Sequence, residues 1–123
     1  MIPYSTFVNT TPLRQMANAA REMVRYSIDS FVNNDPDLAK LVLTSDDTVD
    51  SFDREIFTTM LAKMKESPEN IDPASHLMIV SRHIERLADH ATNIAEDVIF
   101  LVNAKIIKHH AYESDTESDA GAV

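Results

Sequence analysis

The sequence predicts an all-α protein, an up-down-up antiparallel three-helix bundle with a disordered acidic C-terminal tail. Three observations predict it. Glycine occurs once in 123 residues, at Gly121, so hairpin-rich β folds lack the turn residues they need. Apolar residues recur at helical spacing in three stretches separated by prolines. At 13.8 kDa, with 44% apolar residues, the chain is long enough for one core and too short for a second.

Residues 1–11 read as a linker-like segment, 12–110 as the bundle and 111–123 as the tail. The first helix opens at Thr11-Pro12, an N-cap followed by proline at the first helical position. Its apolar stripe is Leu13, Met16, Ala17, Ala20, Met23, Val24, Phe31 and Val32, ending near Asn33. Asn34-Asp35-Pro36 ends that helix and starts the second, which runs to about Glu66. Leu38, Leu41, Val42, Val49, Phe52, Ile56, Met60 and Met64 form its stripe. Thr44-Ser45-Asp46-Asp47 has the composition of a helix cap and is the one place where this helix is open to a break. Ser67 to Asp72 reads as a loop. The third helix begins near Pro73 and runs to about His109, roughly 55 Å at the helical rise. Its expected core face is Leu77, Val80, Ile84, Leu87, Ala88, Ala91, Ala95, Val98, Ile99, Val102 and Ile106. The short connections make neighbouring helices antiparallel. The tail carries Glu113, Asp115, Glu117 and Asp119 and almost nothing apolar. Its Ser114, Thr116 and Ser118 can accept phosphate, although a solubilising end explains them as well.

Composition excludes several functions. Without glycine in the body there is no dinucleotide fingerprint, Walker A loop or nucleophile elbow. Without cysteine there is no disulfide framework, cysteine-zinc site or thiol catalysis. Eleven Lys and Arg against twenty Asp and Glu give −9, which repels a nucleic-acid backbone. No apolar run reaches the ~20 residues of a membrane span, and Met1-Ile2-Pro3-Tyr4 does not start a signal peptide. A cytoplasmic location is the expectation that remains.

Two acidic stripes are the informative features. On the third helix Glu85, Asp89, Asn93, Glu96 and Asp97 share one side, with Arg82 and Arg86 beside them. On the second helix Asp46 and Asp50 are four apart, with Asp53 on the same stripe and Asp47 to one side. A solvated helix face with ordinary ion pairs explains one such stripe. Two stripes on neighbouring helices offer more, because carboxylates four apart point the same way and can share a hard cation such as Mg, Mn or iron. Whether Asp46/Asp50 meets Glu85/Asp89 depends on helix register.

The segment Arg82-His83-Ile84-Glu85-Arg86-Leu87-Ala88-Asp89-His90-Ala91-Thr92-Asn93-Ile94-Ala95-Glu96-Asp97-Val98 resembles the signature helix of the PhoU family of phosphate-signalling regulators. Leu43-Thr44-Ser45-Asp46-Asp47-Thr48-Val49-Asp50 resembles its companion acidic segment, and the similarity in spacing extends from about Thr11 to His110. That resemblance implies three-helix bundles whose E(D)xxxD motifs bind multinuclear metal clusters. It implies Asp46, Asp50, Glu85 and Asp89 as metal ligands with Asn93 as a subsidiary one, the ion being iron or Mg, Mn, Zn or Ni. It also argues for an unbroken second helix. Family members usually carry two tandem bundles, and this stretch is most similar to the second, with Ile2 to Thr10 in the place of the linker between them. The chain is then either part of a two-bundle protein or a half-length member that forms a homodimer; Phe57 and Leu61, which widen the apolar stripe of the second helix, are available to such a partner.

The function implied by the resemblance is that of a non-enzymatic adaptor that represses phosphate uptake and the phosphate-starvation response. Its partners would be a sensor histidine kinase and the ATPase subunit of the phosphate ABC transporter, and it would reach the membrane only through them. Arg82, Arg86 and Asp97 are the candidate partner-binding residues. A metal-storage or metal-buffering bundle and a simple oligomerisation module are the alternatives. Catalysis is not expected: Glu-x-x-His pairs and His-Glu-x-x-His are absent, and no base or nucleophile stands apart from the acids. His76, His83 and His90, seven apart, read as boundary residues beside the core rather than as ligands.

Overall fold

The computed structural model describes residues 4–121, with side chains over 5–111. Four α-helices follow one another: α1 (Tyr4–Asn9), α2 (Leu13–Val32), α3 (Pro36–Glu66) and α4 (Ile71–Gly121), with a 3-10 turn at Pro68–Asn70 before α4. There is no strand among the described residues. Helices α2, α3 and α4 pack pairwise, most extensively α3 with α4, as the expected up-down-up bundle. No described helix is long and apolar enough to cross a membrane.

The connections show why the chain manages with one glycine. Asn34 adopts φ 50°, the left-handed conformation that glycine usually supplies after a helix. The Asn34 amide donates to the Phe31 carbonyl at 3.4 Å and the Asp35 amide to the Ser30 carbonyl at 2.8 Å, so the open end of α2 is closed by a Schellman motif. Asp35 then caps α3, its carboxylate accepting from the amides of Asp37 and Leu38 at 3.1 Å each. At the other end Ser67 caps the 3-10 turn, and Asn70 donates to the Lys63 carbonyl at 3.0 Å. Helix α3 runs unbroken through Thr44–Asp47.

Four boundaries differ from expectation. The linker-like segment contains α1, whose Phe7 is 1% exposed and belongs to the core. Thr11 does not cap α2; its hydroxyl donates back to the Val8 carbonyl at 3.2 Å, and Pro12 stands at the cap position. Helix α4 starts at Ile71, ahead of Pro73, which its first turn tolerates because the amide there needs no helical partner. Its helical assignment continues past His109 to Gly121, while the side chains from 112 onward, and with them the expectation of a disordered tail, lie outside the described residues.

The core face also differs. On α4 the seam is Ala74, Leu77, Ser81, Ile84, Ala88, Ala91, Ala95 and Val98, spaced three and four alternately. On α3 it is Ala39, Val42, Asp46, Val49, Asp53, Ile56 and Met60, and on α2 Met16, Ala20, Met23, Ser27 and Ser30. That 3.5-residue period is the one that keeps nearly aligned helices in contact along their length. Phe31, Val32, Leu41, Val80, Leu87 and Ile106, expected inside, are exposed. Small seam residues bring the helices together and leave these larger side chains outside. The buried serines lose little, because Ser27 donates to the Val24 carbonyl at 2.8 Å and Ser30 to that of Ser27 at 2.7 Å.

Candidate functional site

Two of the seam positions on α3 are aspartates, and they meet different surroundings. Asp53 is enclosed: Ser81 Oγ donates to its Oδ1 at 2.6 Å and Arg82 Nε lies 3.5 Å from its Oδ2. The Arg82 guanidinium in turn sits 5.8 Å from the centre of the Phe57 ring. Asp46, two turns away, faces other acids. One carboxylate oxygen each from Asp46, Asp50 and Asp89 lies within 4.8 Å of the others. The register of α3 against α4 thus brings the Asp46/Asp50 pair onto Asp89. Glu85 adjoins the three through a hydrogen bond with Asp89. Thr92, one turn beyond Ala88, donates to the Ala88 carbonyl at 3.0 Å and reaches Asp46 Oδ1 at 3.5 Å.

The electrostatics follow from this crowding. Burial raises the Asp46 carboxyl above its ordinary value, and Asp50, Asp89 and Asp47 raise it further, against a lowering by the Thr92 hydroxyl. Asp50 is raised by burial and by Asp89, with Arg54 pulling the other way. Glu85 is raised by burial, by its hydrogen bond with Asp89 and by the charge of Asp89. The ionised cluster is therefore under mutual repulsion that a cation relieves. Its donors are all oxygen, from carboxylates on two rigid helices, a set that suits Mg, Mn or iron better than a soft metal.

The remaining expected residues lie apart from this centre. Asn93 and Glu96 are exposed on later turns of α4 and are not in the converging group. Arg82 and Arg86 line a groove of about 310 Å3 with Phe57, Met78, Ile79 and His83. Asp97 borders a different groove, of about 380 Å3, with Ile28, Phe31, Ile94 and Leu101. The three candidate partner-binding residues are thus divided between two grooves. His76, His83 and His90 are exposed and outside the acidic group. Sequence reasoning missed Thr92 and the pairing of Asp53 with Ser81; both hydroxyl residues lie along the α3-facing side of α4, and that placement was the available signal.

A family model described as the PhoU domain matches residues 13–98. The chain belongs to the PhoU family. The matched stretch opens with α2 and closes at Val98, taking in all of α3 and every residue of the acidic centre. The chain is 38% identical over 96 residues to a phosphate-specific transport system accessory protein PhoU homolog of Xylella fastidiosa (strain 9a5c), covering 78% of this chain and 41% of that protein. It is 41% identical over 107 residues to the like-named protein of Aquifex aeolicus (strain VF5), covering 87% and 47% respectively. With that of Rhizobium meliloti (strain 1021) it shares 30% over 111 residues, 90% of this chain and 47% of the relative. The chain spans somewhat less than half the length of these curated PhoU relatives. Each is named as an accessory protein of a transport system, and no catalytic activity forms part of the name.

Proposed function

We propose that the chain is a non-catalytic regulatory adaptor that restrains phosphate transport and the phosphate-starvation response, docking through a metal-loaded acidic face. The observation that carries this reading is the convergence of Asp46, Asp50 and Asp89 from two helices within 4.8 Å. Asp46, Asp50 and Asp89 would hold the ion, with Glu85 next to them and Asn93 outside the group. Bound there, a hard cation supplies positive charge and free coordination positions for a carboxylate or phosphate of a partner. The protein's own contribution is rigidity: both acid pairs stand on long helices locked by the seam. The partners are a sensor histidine kinase and the ATPase subunit of a phosphate ABC transporter, met in the cytoplasm, with the chain reaching the membrane only through them. Self-association into a homodimer belongs to the same reading, and nucleic acid does not.

Elemental mass spectrometry on untagged protein, beside an Asp50→Asn/Asp89→Asn variant, tests it. The expected result is a bound hard metal that the variant loses, together with loss of kinase or transporter capture and unchanged helicity. Capture that is equal with and without the metal would overturn the docking role. Heavy, reversible loading with no such partner would make metal storage the function, and neither metal nor partner would leave an oligomerisation module.

A further inference from the structure

The groove next to the acidic centre carries the opposite sign of charge. In a chain of net −9, this 310 Å3 groove is lined by Phe57 of α3 and by Met78, Ile79, Arg82, His83 and Arg86 of α4, none of them an acid. Ile79, Arg82, His83 and Arg86 follow the i, i+3, i+4, i+7 pattern, so they form one stripe over two turns of α4. The apolar part is open to solvent, with Phe57 41% and Ile79 56% exposed. Leu61, also exposed, stands one turn beyond Phe57 and continues the apolar strip on α3.

The two arginines are prepared differently. Arg82 is held in place, with Nε 3.5 Å from Asp53 Oδ2 and the guanidinium carbon 5.8 Å from the centre of the Phe57 ring. That ion pair engages one edge of the guanidinium, and the exposed side chain has further N–H donors for a second carboxylate. Arg86, also exposed, makes no ion pair among the described residues. Two arginines one turn apart beside an apolar strip match a helix that carries carboxylates one turn apart beside its own apolar stripe.

We propose that this groove is a docking site for an acidic amphipathic helix of a protein partner. The helix lies between α3 and α4, its apolar residues on Phe57, Leu61 and Ile79 and its carboxylates on Arg82 and Arg86. Charge complementarity selects this occupant: in an acidic chain the groove is a cationic strip, which draws a partner segment of the opposite sign. The acidic centre limits where that segment can carry its acids, since Asp50 and Asp89 lie within one turn of Asp53 and Arg86. A narrow helix can confine its carboxylates to the arginine stretch, whereas a flat anionic membrane meets both signs at once. The inference rests on the adaptor reading for the existence of a partner and not on the metal, and it adds a docking surface opposite in charge to the acidic centre.

Fluorescence anisotropy on the full chain in chelating buffer tests it, with two labelled model peptides as probes. One is an amphipathic helix of about five turns, with leucine at i, i+3, i+4 and i+7 and glutamates flanking that stripe. The other has the same composition in scrambled order, which removes the stripe. The first is expected to bind in the tens of micromolar and the scrambled one about tenfold more weakly. Arg86→Glu and Ile79→Glu, both at exposed positions where folding is not at stake, should each weaken binding about tenfold with helicity unchanged. Phe100→Glu, outside the groove, should leave it as it is. No binding, equal binding of the two peptides, or binding that survives Arg86→Glu would overturn the proposal. So would displacement of the peptide by millimolar inorganic phosphate beyond that by chloride at equal ionic strength, which would make the groove a site for small anions. Peptide binding in the groove without kinase or transporter capture would uphold this inference and count against the proposed partners alone.

Discussion

The two ends of the bundle are built from side chains of different size. Near the 3-10 turn the core is made of Phe7, Met16, Ile56, Met60 and Leu77. Near the α2–α3 connection it is made of Ser27, Ser30, Ala39, Ala91 and Ala95, with Val42 and Val98. Large side chains hold the first end by apolar burial, about 1.5–3 kcal/mol each. At the second, small side chains let the helices approach, and the large ones, Ile28, Phe31, Leu101 and Phe100, stand outside. Apolar content alone does not distinguish these ends. The difference is whether the apolar residues occupy the seam, and where they do not, they form a surface.

Substitutions that reverse the sizes should break the contrast. Ile56→Ala, at a position with no exposure, removes a large seam residue and should cost about 2–5 kcal/mol in urea unfolding. Ala95→Leu at the other end should cost about 1–3 kcal/mol, because the close-packed seam has no room for the added atoms. If Ala95→Leu were neutral while Ile56→Ala was not, the small-residue end would be loosely packed and the contrast would fail. The smallest effect concerns the acids between the two ends. Asp46, Asp50 and Glu85 are raised above the ordinary values of 3.8, 3.8 and 4.5, chiefly by burial. The folded chain therefore holds protons at a pH where the unfolded chain has released them, and this contribution to stability falls as pH rises from those values through the raised ones. Asp50→Asn in chelating buffer should gain about 0.5 kcal/mol over wild type at neutral pH by removing a like charge. That gain should shrink as pH is lowered through the same window; a gain that did not vary with pH would show that repulsion is not its source.

The helices were legible where the chain marks its own ends. Asp35-Pro36 and Ser67-Pro68 bound α3 as expected, because a capping side chain and a proline act locally. Helix α1 was not legible: six residues, Tyr4 to Asn9, are too few to show a helical period, and only the core that Phe7 enters gives them a role. The core face was drawn too wide: Ala20, Ala88, Ala91 and Ala95 are buried as expected, but Phe31, Val32, Leu41, Val80, Leu87 and Ile106 are not, and the buried Ser27, Ser30, Ala74 and Ser81 carry too little apolar signal to have been placed there. In the acidic centre each pair was visible, since Asp46/Asp50 and Glu85/Asp89 are one turn apart. Their meeting was not, because it depends on how α3 and α4 are aligned along their axes.

Ser81 bears on that alignment. Its hydroxyl lies 2.6 Å from Asp53 of α3 and 3.4 Å from the sulfur of Met16 of α2, so one oxygen touches the other two long helices of the bundle. A slip of α4 by one heptad in either direction would set Ala74 or Ala88 beside Asp53, and neither has a hydrogen to donate. Sliding would strand a half-buried carboxylate, so the out-of-step pairings are disfavoured by a single uncharged residue. The spacing of the acids around Asp46 is thereby indexed from two turns away, by a side chain that never touches them.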